Sequence, residues 1–374
     1  MQKKLIALAV AATALTTGSA FAQTNVTIYG SVDVGFTHRG DNVAKHTGSK
    51  NSIDSGISSG NRLGFTGTED LGNGVKALFT LEAGFNVDDG QQGQGGRLFG
   101  RQAFLGLTGG FGTAIAGRLY TPHYSFLAAV DPFRSGTVGQ YRNVFGAGIN
   151  VGGENLFDPT RVDNAIAYVS PSWSGFNVTV AYSNNAIGQE ATENGGDNRV
   201  WAILPRYTNG PLDVALSYHQ IKSHDTDNVD IKNWALGGTY NFGSAKLHAF
   251  YDQNKWNDPF EIDTTIKLKS WLLGVSVPFG KHALQASYTQ SKLSLTGVSG
   301  KSRQWALGYT YTLSKRTNFY AAVSDISNDR KRKGNWPSAV PLIGGNSFAA
   351  VSGDSSNGGA GYQNGLQFGL KHTF

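Results

Sequence analysis

The 374-residue chain has no cysteine, and its one methionine is the initiator. Without thiols there is neither a disulfide framework nor a thiolate metal site. Charged residues are scarce at 16% and hydrophobic residues make up only 39%. Beyond residue 22 no run approaches the ~20 apolar residues of a membrane helix. The most apolar later stretch, 271–279, is short and broken by Gly274 and Ser276. The 50 glycines follow no three-residue period, which excludes collagen. With 7 Trp, 15 Tyr and 21 Phe the chain is far too aromatic for a disordered one. What remains must fold, and must do so without long apolar segments.

Lys3 and Lys4 precede a short apolar stretch over 5–15, and Ala20-Phe21-Ala22 supplies a small-x-small cleavage site. Charge, apolar core and small residues in that order make a secretory signal peptide. Residues 1–22 are therefore expected to be removed, leaving 23–374 as one exported domain.

The dominant period along that domain is two. Val26, Ile28, Val32 and Val34 alternate with Thr27, Tyr29, Ser31 and Asp33. Leu212, Val214, Leu216 and Tyr218 likewise oppose Asp213, Ser217 and His219. One apolar and one polar face is the signature of a strand with two different surroundings. Sixteen such segments lie end to end, starting near residues 25, 61, 75, 101, 112, 162, 176, 199, 212, 232, 245, 266, 282, 302, 317 and 364. Short connections alternate with long ones, the long ones including 37–60, 120–161, 293–301 and 327–363. Long structureless loops are rare in compact domains, so their number needs a reason. An antiparallel transmembrane β-barrel supplies it, with short periplasmic turns, long outer loops and both termini on one side.

A soluble β-sandwich would pack branched aliphatics face to face. Here the apolar faces end in aromatics instead, among them Tyr182, Trp201, Tyr218, Trp234, Tyr251 and Trp271. Such rings suit the two interfaces of a membrane. The opposite faces are polar, as a water-filled lumen requires. No blade-length repeat supports a propeller. The fold class expected is all-β, a 16-stranded barrel.

Several blocks resemble the trimeric general porins of Gram-negative, particularly betaproteobacterial, outer membranes. They are Val26-Thr27-Ile28-Tyr29-Gly30, the run from Arg62-Leu63-Gly64-Phe65 to Gly74-Val75-Lys76-Ala77, Gly100-Arg101-Gln102-Ala103-Phe104, and Gly117-Arg118. Arg161-Val162-Asp163-Asn164 and the closing Gly369-Leu370-Lys371-His372-Thr373-Phe374 complete the set. Phe374 also looks like the terminal aromatic of barrel insertion signals. Thr66 departs from the pattern, standing where a basic residue is more usual. The resemblance spans the whole exported length. It implies a homotrimer of separate channels, each narrowed by a third loop folded inside. It also implies passive diffusion of small hydrophilic solutes and ions through the outer membrane, among its lipids and lipopolysaccharide, with no cofactor and no catalysis.

Parity adds a charge prediction. Arg62 opposes Leu63 and Phe65, Arg118 opposes Ile115 and Leu119, and Arg161 shares the parity of Asp163, so all three are expected to face the lumen. Alternation from Leu105 turns Arg101 toward lipid, and it joins this basic wall on resemblance. Arginine is never deprotonated, so a cluster of them is a permanent attraction for anions. The competing expectation is that these arginines only pair with Asp33, Glu82 and Asp163. The third loop, 120–160, brings Asp131, Glu154 and Asp158 as an acidic side of the constriction, against Arg134 and Arg142.

Other motifs carry less. Gly56-Ile57-Ser58-Ser59-Gly60 matches a nucleophile-elbow string but feeds a strand rather than a helix. Asp225, Asp227 and Asp230 are spaced like calcium ligands, yet Val229 occupies a ligand position and the required glycine is absent. Arg330-Lys331-Arg332-Lys333 is a basic loop tip suited to lipopolysaccharide phosphates. Dispersed basic residues and export argue against nucleic acid. A substrate-specific channel for phosphate or organic anions is the nearest alternative, and an adhesin built on the outer loops the next.

Overall fold

The computed structural model describes residues 25–42, 49–145, 150–151, 154–155, 158–188, 198–223, 230–257, 265–295, 298–328 and 362–374. Residues 1–22, expected from the sequence to be a leader, lie outside them, as do Asp225, Asp227 and the basic run 330–333. Strand β1 (Asn25–Asn42) turns back as β2 (Lys50–Ser55), and the same path resumes as β3 (Arg62–Gly72). The wall continues through β4 (Val75–Gly84), β5 (Gln102–Gly109) and β6 (Gly112–Tyr120). Within the third loop, β7 (Asn150–Val151) pairs only with β8 (Glu154–Asn155). Next come β9 (Arg161–Val169), β10 (Phe176–Ser183), β11 (Asn198–Asn209), β12 (Leu212–Ser223), β13 (Asp230–Asn241) and β14 (Lys246–Asn257). The last five are β15 (Thr265–Phe279), β16 (His282–Leu295), β17 (Val298–Thr312), β18 (Thr317–Asn328) and β19 (Tyr362–Thr373).

Every wall strand pairs antiparallel with its neighbours, and β19 closes on β1, with Ser31 opposite Thr373 and Phe36 opposite Phe368. Counting β2 and β3 as one interrupted strand, the chain is a closed 16-stranded barrel. Closure leaves no unpaired edge, the condition for a sheet to stand in hydrocarbon. Tight turns gather at one end. In the first of them Asn73 and Gly74 both take positive φ, 52° and 75°, as the twist of a two-residue hairpin demands. The carboxy terminus sits at the same end, where Phe374 exchanges two backbone hydrogen bonds with Gly30, each 3.1 Å. A Cβ at Gly30 would collide with the Phe374 ring, so only glycine admits this lock.

Burial is inverted relative to a soluble protein. Leu105 is 65% exposed and Ile28 60%, whereas Ser217, Asn233, Asp252, Ser270 and Thr289 are fully buried inside the barrel. The outward apolar band faces lipid and the polar rows face inward. Two connections differ from the sequence expectation. Residues 37–60 are not one long loop: β1 runs on to Asn42 and pairs with β2, Phe36 facing Ile53. Only two residues separate the paired Leu295 and Val298 of β16 and β17, where the spacing suggested 293–301. Polar residues at a strand end that leaves the membrane keep pairing, which a hydropathy pattern does not register.

Candidate functional site

The third loop opens with Thr121, whose side-chain oxygen accepts the Tyr124 amide hydrogen at 3.1 Å and caps the helix Pro122–Val130. Proline at the first helical position and a threonine cap make a strong start signal. The helix lies inside the barrel. Its Phe126, Leu127 and Val130, with Tyr141 and Phe145 further along, pack on Leu204, Ala235, Phe250 and Leu272 of the inner wall. His123 completes the dock, reaching Ser217 at 3.1 Å, Asn233 at 3.2 Å and the Asp252 carboxylate at 3.3 Å. The loop then crosses the lumen. Val138 donates its amide hydrogen to Gln367, and Gln304 donates to the carbonyls of Gly139 and Gln140.

The crossing meets a second inward feature. Between β2 and β3, residues 56–61 leave the wall, and Ser58 and Ser59 donate their amide hydrogens to the buried Asp33 carboxylate at 2.8 Å each. Thr137 of the third loop donates to the Ile57 carbonyl at 2.6 Å. The glycine-serine string is thus a structural shoulder on which the loop tip rests.

Beside this bridge lies a cavity of about 630 Å³. Arg62, Arg101 and Arg161 line it, together with Arg134 from the loop and Lys371 from β19. Among the described residues no carboxylate lines it. Glu82 stands behind the arginines: it takes the Arg101 Nε hydrogen at 2.7 Å and lies 3.8 Å from Arg62. Tyr120 accepts from both Arg101 and Arg161 at 2.7 Å, and the Arg161 guanidinium stacks 4.5 Å over its ring. Arg62 is held by Ser59 at 2.7 Å and the Gly60 carbonyl at 3.2 Å. Fixed hydroxyls and carbonyls thus hold the guanidinium groups in place, and one buried acid offsets only part of their charge.

Arg118 does not join them. A register shift between Gly117 and Leu119 breaks the alternation, and Gly117 adopts φ 139°. Arg118 faces Ala103, donates to Asp163 at 2.5 Å and to the Gly100 carbonyl at 2.7 Å, and shares Asp163 with Arg97. Arg101 precedes β5 and escapes the parity that would have turned it to lipid.

Asp131 and Asp158 turn away from the cavity. Asp131 is buried and accepts amide hydrogens from Phe133, Ser135 and Tyr141. That burial pushes its carboxyl up to about 7. Asp158 is buried against the Tyr141 hydroxyl at 2.6 Å and Arg142 at 3.4 Å. Glu154 enters the β7–β8 hairpin by its backbone; its side chain lies outside the described residues. Asp230 accepts from Gln220 at 2.6 Å and Asn257 at 3.2 Å.

Two lining cations were not assigned to the basic wall from the sequence: Lys371 was missed, and Arg134 was read only as a loop charge set against the acids. Lys371 carried a usable signal, because it alternates with the exposed Leu370 and Phe368 and so faces inward like Arg62. Arg134 carried none, since no period describes a loop.

Comparison with known proteins places this geometry. The family model for Gram-negative porins matches residues 7–331. An outer membrane porin protein of Bordetella pertussis is 35% identical, covering 88% of this chain and 95% of that one. Outer membrane porin protein 32 of Delftia acidovorans is 32% identical over the full length of both. The anion-selective porin from Comamonas acidovorans superposes with a TM-score of 0.77 at 29% identity, over 94% of this chain and all of that one. A closed barrel with a cation-lined internal cavity and relatives across its full length have one reading: the chain belongs to the Gram-negative porin family and is a passive channel of the outer membrane.

Proposed function

We propose that the channel prefers anions, and that the preference is set at the cavity beside the third loop by Arg62, Arg101, Arg161, Arg134 and Lys371. The observation that carries this is the charge of the lining: four arginines, one lysine and, among the described residues, no carboxylate. Cations gathered in a narrow wet space raise the local anion concentration and lower that of cations. The anion-selective porin from Comamonas acidovorans, similar over its whole length, supports the same reading. We further propose a homotrimer, each barrel conducting separately, seated among outer-membrane lipids and lipopolysaccharide and passing small hydrophilic solutes.

Reversal potential in a salt gradient across a planar bilayer tests the preference. Wild type is expected to be anion-selective. The double variant Arg134→Gln/Lys371→Gln is expected to lose roughly two- to threefold in the anion-to-cation ratio, because two cations leave the lining, while Asp33, which faces Lys371, keeps its hydrogen bonds from Ser58, Ser59 and Tyr320. Arg118→Gln is expected to leave the ratio unchanged. Cation preference in wild type would overturn the proposal.

A further inference from the structure

Between two of the lining cations stands an uncharged group. Tyr120 ends β6 directly opposite Arg161, the first residue of β9, and Arg101 lies on its other side, just before β5. The two guanidinium groups meet on one atom: Arg101 and Arg161 each donate an Nη2 hydrogen to the Tyr120 phenol oxygen at 2.7 Å. A guanidinium only donates, so both lone pairs of that oxygen are taken. The hydroxyl hydrogen is left over, and no acceptor for it is found among the described residues. Tyr120 lines the cavity of about 630 Å³, where no described carboxylate stands. What the hydrogen meets therefore comes through the channel, as water or as a passing anion.

The phenol is also held in position. The Arg161 guanidinium lies 4.5 Å over its ring, and the Tyr124 ring stacks on it at 5.7 Å with 17° between the planes. Arg142 covers Tyr124 in turn at 5.1 Å and is itself fixed by the Thr160 hydroxyl at 2.7 Å and the Asp158 carbonyl at 2.9 Å. A donor fixed beforehand spends nothing on orientation when an anion arrives. Two cations donating to the oxygen draw electron density from it and strengthen donation by its own hydrogen.

We infer that Tyr120 ranks the anions that pass: its hydroxyl donates to an anion drawn in by Arg101 and Arg161, and so favours strong hydrogen-bond acceptors over weak ones of the same charge and size. The inference rests on the anion preference proposed above and adds discrimination among anions to discrimination between signs. The summed charge of the lining attracts every monovalent anion alike, whereas a directed O–H separates them by the basicity of the accepting atom. Formate and nitrate expose the difference. Both are planar, singly charged and close in size, but formate is much the stronger acceptor.

The test uses the full channel in planar bilayers, with potassium formate on one side and potassium nitrate on the other, beside a potassium chloride gradient. Wild type is expected to show a formate-to-nitrate permeability ratio above that of the bulk mobilities. Tyr120→Phe keeps the ring stack and the lining charge, and is expected to lower that ratio roughly two- to tenfold, the worth of one hydrogen bond. Its anion-to-cation ratio in potassium chloride, which follows charge, is expected to fall by less. Site-specific replacement of Tyr120 by 3-fluorotyrosine, of nearly the same shape with a more acidic hydroxyl, is expected to raise the formate-to-nitrate ratio, which a merely structural role would not do. The same replacement carries the test if the phenylalanine variant does not assemble. A wild-type ratio equal to that of the bulk mobilities would overturn the inference, and so would an unchanged ratio in Tyr120→Phe. A parallel fall of both ratios would also overturn it, leaving Tyr120 as a prop for the arginines. Cation preference in the chloride gradient would overturn the anion reading as well, whereas a failure confined to the formate-to-nitrate ratio leaves that reading standing.

Discussion

Asp131 shows how one buried carboxyl sets the firmness of a loop. It ends the loop helix and gathers three amide hydrogens from the turn that follows, Phe133 at 3.1 Å, Ser135 at 2.9 Å and Tyr141 at 3.3 Å. These bonds favour the ionised form, but complete burial opposes it more strongly, and the carboxyl rises to about 7. A carboxyl raised in the folded state stabilises while it is neutral. That contribution is complete below its unfolded value of 3.8 and is lost as pH climbs through about 7. The tip of the third loop should therefore be held more firmly at pH 5 than at pH 8. Amide exchange over 133–141, corrected for its intrinsic pH dependence, is expected to show weaker protection at the higher pH. Asp131→Asn, neutral throughout, should flatten that difference. An unchanged pH difference in the variant would assign it to another group.

At the level of elements, the third loop is a lid fastened on three sides rather than a strut. The helix face built on Leu127 meets the inner wall of β11 to β15. Phe133 and Val138 pack on Ala306 and Ala322 of β17 and β18. The shoulder 56–61 receives the tip. Leu127 has no exposed surface, so Leu127→Ala should cost about 2–5 kcal/mol. The loss falls on docking of the loop and not on the hydrogen-bonded wall. Single-channel recordings are expected to show larger, noisier conductance with the barrel's own melting little changed; a variant that unfolds the wall instead would mean that lid and barrel are one cooperative unit. The wall was almost wholly legible in the sequence, because a strand between lipid and water writes its two surroundings onto alternate residues. Arg62 and Arg161 were legible for the same reason. Arg118 was not, because a bulge at Gly117 resets the count, and neither was Arg134 nor the inward turn of Asp131 and Asp158. Those depend on the path of a loop whose contacts lie more than a hundred residues away, as from His123 to Asp252. The shoulder at 56–61 was hidden for a further reason: its purpose, pinning Asp33 and receiving Thr137, exists only once the barrel has closed.

For the whole molecule the question is whether charge or size sorts the solutes, and ionic strength separates the two. The lining cations surround one cavity of about 630 Å³, so at low salt their fields overlap across it. At 0.1 M salt the screening length is ~10 Å; at 1 M it is ~3 Å, and each guanidinium is felt only by an ion that touches it. Part of the arginine charge is already spent locally, since Glu82 holds Arg101 at 2.7 Å and draws on Arg62. Arg134 has no such carboxylate partner among the described residues, whereas Lys371 stands opposite the buried Asp33 across β1 and β19. Selectivity is therefore a property of the summed field and not of a single contact. The anion-to-cation ratio from reversal potentials should fall steadily between 0.1 M and 1 M potassium chloride, toward the ratio of the bulk ion mobilities. A ratio that stayed constant over that range would show that the bridge of the third loop selects by width alone, with the basic lining serving only to hold the loop and the shoulder apart.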